Sequence, residues 1–135
     1  MKFRLGILTT ISLIVIFSLP LLAHHSLAKT FDASKAVTIT GVVTEIAWMN
    51  PHASIAMNVK SSDGKITAWH AELAAPSILF RAGFRKDTVA LMSSVTLEIW
   101  PARDGSSTAY GRILTLSDGR KFDVHDSLWE SPIVK

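Results

Sequence analysis

The stretch V-T-I-T-G-V-V-T-E-I-A-W-M-N-P-H-A-S-I-A-M-N-V, from Val37 to Val59, decides how the rest of the chain is read. It holds two β-rich runs joined at Asn50-Pro51-His52, where proline fixes φ and removes a donor and asparagine suits a turn. The first run is long for a strand, and its apolar set changes phase. Val37, Ile39 and Val43 share one parity, whereas Ile46 and Trp48 share the other. A straight strand cannot bury both sets, because successive side chains point to opposite faces. Gly41 and a bulge near Thr44-Glu45 let one coiled strand turn its second half onto the same core. The second run alternates simply: Ala53, Ile55, Met57 and Val59 fall between Ser54, Ala56, Asn58 and Lys60. A coiled strand feeding a hairpin is the nucleus of a small barrel.

Downstream, Asp63-Gly64 marks a tight turn into a third strand, Ile66 to Leu73, with Trp69, Ala71 and Leu73 on one face and Ala68, His70 and Glu72 on the other. Pro76 and Gly83 then bracket a short helix, too apolar to stand free, that is expected to plug one end of the barrel. Val95, Leu97 and Ile99 alternate with Thr96, Glu98 and Trp100 in a fourth strand ending at Pro101. After a loop at Arg103 to Ser107, a last hairpin runs from Tyr110 to Leu116, through Asp118-Gly119, to Lys121–His125. Three strands, a helix, then two or three strands is the order of the OB-fold. The expected class is all-β with one short helix, an OB-like barrel of five to six strands over residues 37–125, preceded by an arm (24–36) and followed by a tail (126–135).

Upstream, Lys2 and Arg4 precede an apolar run from Leu5 to Phe17, then Ser18, Pro20 and Ala23. This is the pattern of a secretory signal peptide, and the run is shorter than the roughly 20 apolar residues a spanning helix needs. Cleavage after Ala23 leaves His24-His25-Ser26 at the mature start; cleavage after Ala28 fits the small-x-small rule better and discards both histidines. The reading followed here takes 1–23 as the signal peptide, with no membrane attachment afterwards. Losing Lys2 and Arg4 leaves twelve basic against eleven acidic residues. No basic cluster with interleaved aromatics survives, so nucleic acid is not an expected partner. The chain has no cysteine, which excludes disulfides, thiolate metal sites and cysteine nucleophiles.

The His24-His25-Ser26 start, Phe31-Asp32, the run from Val37 to Thr44, Asn50-Pro51-His52, Trp69 with Glu72, and Pro101-Ala102 with Asp104-Gly105-Ser106 together resemble a family of small exported bacterial proteins of unknown function. The resemblance spans nearly the whole mature chain. It implies a periplasmic β-barrel protein of Gram-negative bacteria with no assigned activity. Met92-Ser93-Ser94 departs from the family pattern, in which a Gly-Asp turn is more usual.

A mature N-terminal histidine offers an amine and a ring nitrogen that together chelate Cu(II), and tetragonal nitrogen sites favour that ion. His25 adds a second ring, and His52 completes a site if the arm folds back across the barrel. The plain alternative is that two histidines after a signal peptide only provide a cleavage context and a solvated arm, and that His52 bonds backbone at its turn. His70 and Glu72 are neighbours on one strand face and read as polar surface. His125, near the chain's end, is assigned only to solvent. No nucleophile elbow, phosphate loop or His-Glu-x-x-His helix is present, so catalysis is not expected. Trp100 falls off the core pattern, and an exposed aromatic on a barrel face suits a periplasmic protein or glycan partner. The expectation is thus a non-catalytic binding protein, with copper or another transition metal held by His24, His25 and His52, or alternatively a partner held at Trp100.

Overall fold

The computed structural model describes residues 27–126. The expected signal peptide, His24, His25 and all but Asp126 of the expected tail lie outside the described residues. Six strands form one sheet: β1 (Val37–Ala47), β2 (Ser54–Lys60), β3 (Ile66–Glu72), β4 (Ser94–Pro101), β5 (Thr108–Leu116) and β6 (Lys121–Asp123). A single-turn helix, α1 (Pro76–Arg81), lies between β3 and β4. The strand order is β3-β2-β1-β4-β5-β6, and a parallel pairing of β3 with β5 closes the first five strands into a barrel. This is the OB arrangement, with β6 added as a hairpin on β5.

Closure depends on β1, which serves two neighbours. Val37–Val42 pair with β4, and Gly41–Ala47 pair with β2. The register against β2 slips between Val43 and Glu45. One extra residue there reverses the parity, so Ile39 and Val43 are buried before the bulge and Ile46 packs on the same core after it. Gly41 sits at the bend: a Cβ on it would lie 2.5 Å from the Asn58 carbonyl oxygen, so only glycine permits this backbone approach.

The interior is filled by alternate residues of each strand, among them Val43, Ile55, Met57, Ala71, Val95, Leu97, Ile99 and Leu114. Helix α1 closes one end through its buried Leu79. Six residues are too few to hold a helix alone, so that burial is what keeps it folded. Proline occupies the first turn, and Gly83, at φ 81°, follows the last. Beside it, Phe84 stacks on Trp48 with ring centres 6.2 Å apart and meets the edge of Phe122 at 5.5 Å. Among the described residues no helix is long and apolar enough to cross a membrane.

The arm lies on the outside of this barrel. Residues 27–30 make a helical turn and Ala33–Lys35 a 3-10 turn. Between them Phe31 forms an antiparallel bridge with Ala102, just past the end of β4. Phe31, Trp100, Ala102 and Tyr110 form a second apolar cluster, with Leu27 against it.

Candidate functional site

Antiparallel pairing of β2 with β3 sets Ser54 opposite Glu72. His52, two residues ahead of Ser54, is thereby carried to the same corner, and its Nδ1 lies 3.3 Å from Oε2 of Glu72. Both side chains are about one-third exposed, 34% and 39%. The corner therefore presents a partly exposed imidazole whose Nδ1 edge faces a carboxylate. His70, the neighbour of Glu72 on β3 and read with it as polar surface, is exposed. The contact of His52 is with this carboxylate across the hairpin rather than with the backbone of its own turn.

On its other side Glu72 pairs in parallel with Tyr110 of β5. The Tyr110 ring stacks on Trp100 at 6.0 Å and 22°, and Phe31 of the arm lies 6.0 Å from it. Its hydroxyl accepts a hydrogen bond from the Asp126 amide at 3.0 Å. Burial pushes the phenol up to about 12, and the carboxylates of Asp126, Glu72 and Asp123 push it the same way. The His52–Glu72 pair and the aromatic cluster are thus linked through the register of Glu72 with Tyr110.

Trp100, expected as an exposed partner-binding aromatic, is only 5% exposed. Its outward parity is as the alternation indicates, but Tyr110 stacks on it, the Arg112 guanidinium lies 4.8 Å over its ring and His125 meets it edge-on at 6.3 Å. His125 also departs from its expected solvation: it is 6% exposed, and its Nδ1 faces the Asp123 carboxylate. Arg112 is held in place by Glu98, at 2.6 Å.

Asp32 and Arg103 fasten the arm to this surface. Asp32 is 7% exposed and accepts from the Ser34 hydroxyl at 2.6 Å and the Ser34 amide at 3.2 Å. The Ser34 hydroxyl, then the Ser34 amide, Arg103 and Lys35, hold its carboxyl below the usual range against the opposing pull of burial. The Arg103 guanidinium reaches Oδ2 of Asp32 at 3.2 Å and donates to the Ala28 carbonyl at 3.2 Å. The main chain adds Asp32 N–H to Pro101 O at 2.9 Å and Arg103 N–H to Thr30 O at 2.9 Å. Asp32 enters the sequence reading only within Phe31-Asp32 and Arg103 only within a loop, and neither is given a role there. The register of β2 and β3 was accessible, because a hairpin centred on Asp63 sets Ser54 opposite Glu72 and brings His52 beside it.

Among the described residues, no three or more His, Asp or Glu side chains are arranged to hold a metal ion. His52 and Glu72 offer two of the groups such a site would use. The model of one family, described as a family of unknown function, matches residues 13–111. No curated protein and no solved structure matches this chain.

Proposed function

For this chain, which belongs to the DUF6152 family of unknown function, we propose the role of an exported, periplasmic binding protein that holds copper or a similar transition metal through its mature N-terminal histidine. In this reading residues 1–23 are removed on export. The amine and ring of His24 chelate the ion, His25 adds a ring, and Nε2 of His52 supplies a donor from the barrel. Glu72 orients His52 without binding the metal. The observation that carries the reading is that corner: a partly exposed imidazole whose Nδ1 faces a carboxylate at 3.3 Å.

The arm supports it. Leu27 packs on the cluster that includes Tyr110, and Tyr110 is the strand partner of Glu72. Nitrogen ligands in a compact chelate suit Cu(II) ahead of zinc and nickel.

The test is a copper titration of protein recovered from the periplasm of an expressing Gram-negative host, its first residue checked by intact mass. One equivalent of Cu(II) is expected. Placing one alanine before His24 should weaken binding by about tenfold or more, and His52→Ala by about tenfold, because each removes a donor. A mature mass beginning after Ala28, or equal affinity with the added alanine, overturns the reading.

A further inference from the structure

We propose that the link from Phe80 to Met92, which carries the chain from α1 to β4, is a membrane-contacting face that rests the folded barrel on a bilayer containing anionic lipid. The proposal is independent of the metal reading.

The link reads F-R-A-G-F-R-K-D-T-V-A-L-M. Phe84 and Val89 enter the core, and every other residue except the half-buried Thr88 is exposed. Among the described residues six large apolar side chains stand exposed, and three of them are here: Phe80 at 58%, Leu91 at 60% and Met92 at 76%. The other three, Val37, Met49 and Ile66, lie singly on separate parts of the chain. Single exposed apolar residues are ordinary on a protein surface, but a group of them marks a contact. Met92 sharpens the point. Its backbone holds φ 64°, where glycine or asparagine is at ease and methionine has no advantage. Neither the turn nor the core accounts for a methionine there.

Charge identifies what the face meets. Arg81, Arg85 and Lys86 stand against Asp87 alone within the link. The rest of residues 24–135 has nine basic against ten acidic side chains, so the link holds the positive balance of that chain. The sequence reading expects no membrane attachment once the signal peptide is removed, because it averages charge and hydropathy over the whole chain. The fold gathers both in one place. The Arg85 guanidinium lies 3.9 Å over the Phe80 ring, and the next residue, Lys86, lines a shallow groove with Leu91, Val89 and Ile46. Glu45 also lines that groove, and with Asp87 it leaves the face one positive charge in excess. Apolar tips among cations match a bilayer interface, where phosphate lies just above hydrocarbon: the tips enter the acyl boundary while Arg and Lys keep their charged ends at the phosphates. Projecting tips suit a fluid surface that closes around them, whereas a folded partner needs a matching concavity.

Co-sedimentation of the soluble periplasmic protein with vesicles tests this. Vesicles of phosphatidylcholine mixed with an equal part of phosphatidylglycerol should bind it about tenfold more tightly than phosphatidylcholine alone, and about 1 M salt should abolish the difference. Lys86→Gln should weaken binding to the mixed vesicles about fivefold, the worth of one charge near such a surface. Met92→Asn should weaken it about tenfold by removing an inserted tip. Asparagine suits the backbone at φ 64°, so that loss is not a loss of fold, and an unchanged far-ultraviolet spectrum checks it. No binding to the mixed vesicles overturns the proposal, as does equal binding to both kinds, or binding that Met92→Asn and Lys86→Gln leave intact. Self-association in sedimentation velocity that Met92→Asn abolishes also overturns it, by assigning the face to a second copy of the chain.

Discussion

Inside the barrel, Val95, Leu97 and Ile99 of β4 share one apolar core with side chains of β1, β2, β3 and β5. On the outside of the same strand, Trp100 shares a far smaller cluster with Tyr110, Phe31 and Ala102, and one of its members arrives on the arm. The interior is closed by the topology: none of β1 to β5 can leave without breaking two ladders, because the parallel β3–β5 pairing closes the five strands. The outer cluster is complete only while the arm stays docked. It also carries titratable groups, with Tyr110, Glu72 and His125 in or beside it, whereas the interior has none among its buried residues. An apolar interior sets the stability of the whole fold, and an aromatic surface with polar neighbours is where a ligand or a change of pH can act.

The largest effect should come from breaking the interior. Leu97 is fully buried at the centre of β4, between β1 and β5. Leu97→Ala should cost about 2–5 kcal/mol, because the neighbours in a closed barrel relax only partly into the space left. Urea denaturation followed by far-ultraviolet circular dichroism should show a single transition moved to lower urea. A loss under about 1 kcal/mol would mean that the barrel collapses around the gap and is less tightly closed than its strand register implies.

This contrast also explains what the sequence could disclose. Alternation in β4 and the phase change between Val43 and Ile46 are local signals, and they are sufficient for the barrel, its bulge and its inward residues. Pro76 and Gly83 likewise bracket α1 to within a residue. Parity assigns Trp100 to the outer face but says nothing about what covers it. The cover comes from Tyr110, Arg112 and His125, all on other parts of the chain, and from a cluster completed by Phe31. The His52–Glu72 contact spans twenty positions and depends on hairpin register rather than on any motif. The arm's latch was hidden for the same reason, since Asp32 and Arg103 meet only because Phe31 bridges Ala102.

A smaller effect is expected from the outer cluster. Phe31→Ala removes the arm's one buried aromatic and should lower global stability by about 1–3 kcal/mol, less than the roughly 3–5 kcal/mol such a change costs in a closed core, because the arm can detach and leave the barrel intact. Trp100 should become more solvated, with its fluorescence moved to longer wavelength, while the far-ultraviolet spectrum stays the same. A loss as large as that of Leu97→Ala would show that the arm is part of the cooperative fold and would erase the distinction between the two regions.

The smallest effect sharpens the comparison by acting on the arm alone. In the docked arm the Asp32 carboxyl titrates below its ordinary value of 3.8, chiefly through the Ser34 hydroxyl. A lowered pKa in the docked state means that the undocked arm binds its proton first as the pH falls. The contribution of Asp32 to docking is therefore complete above about pH 5, declines as the pH falls through 3.8, and is gone once the pH is well under the docked value. Amide exchange at Asp32, normalised to its rate in an unstructured peptide, should lose protection through that window, and Asp32→Asn should start with weaker protection and show no such dependence. Asp63, Asp104 and Asp118 titrate low for a similar local reason, each accepting hydrogen bonds within its own turn. Their protonation weakens turns of the barrel in the same pH range, so amides of β1 and β4 serve as the reference. If those amides lose protection in parallel with Asp32, the acid response belongs to the whole fold; if Asp32 opens ahead of them, the arm is an independently released element.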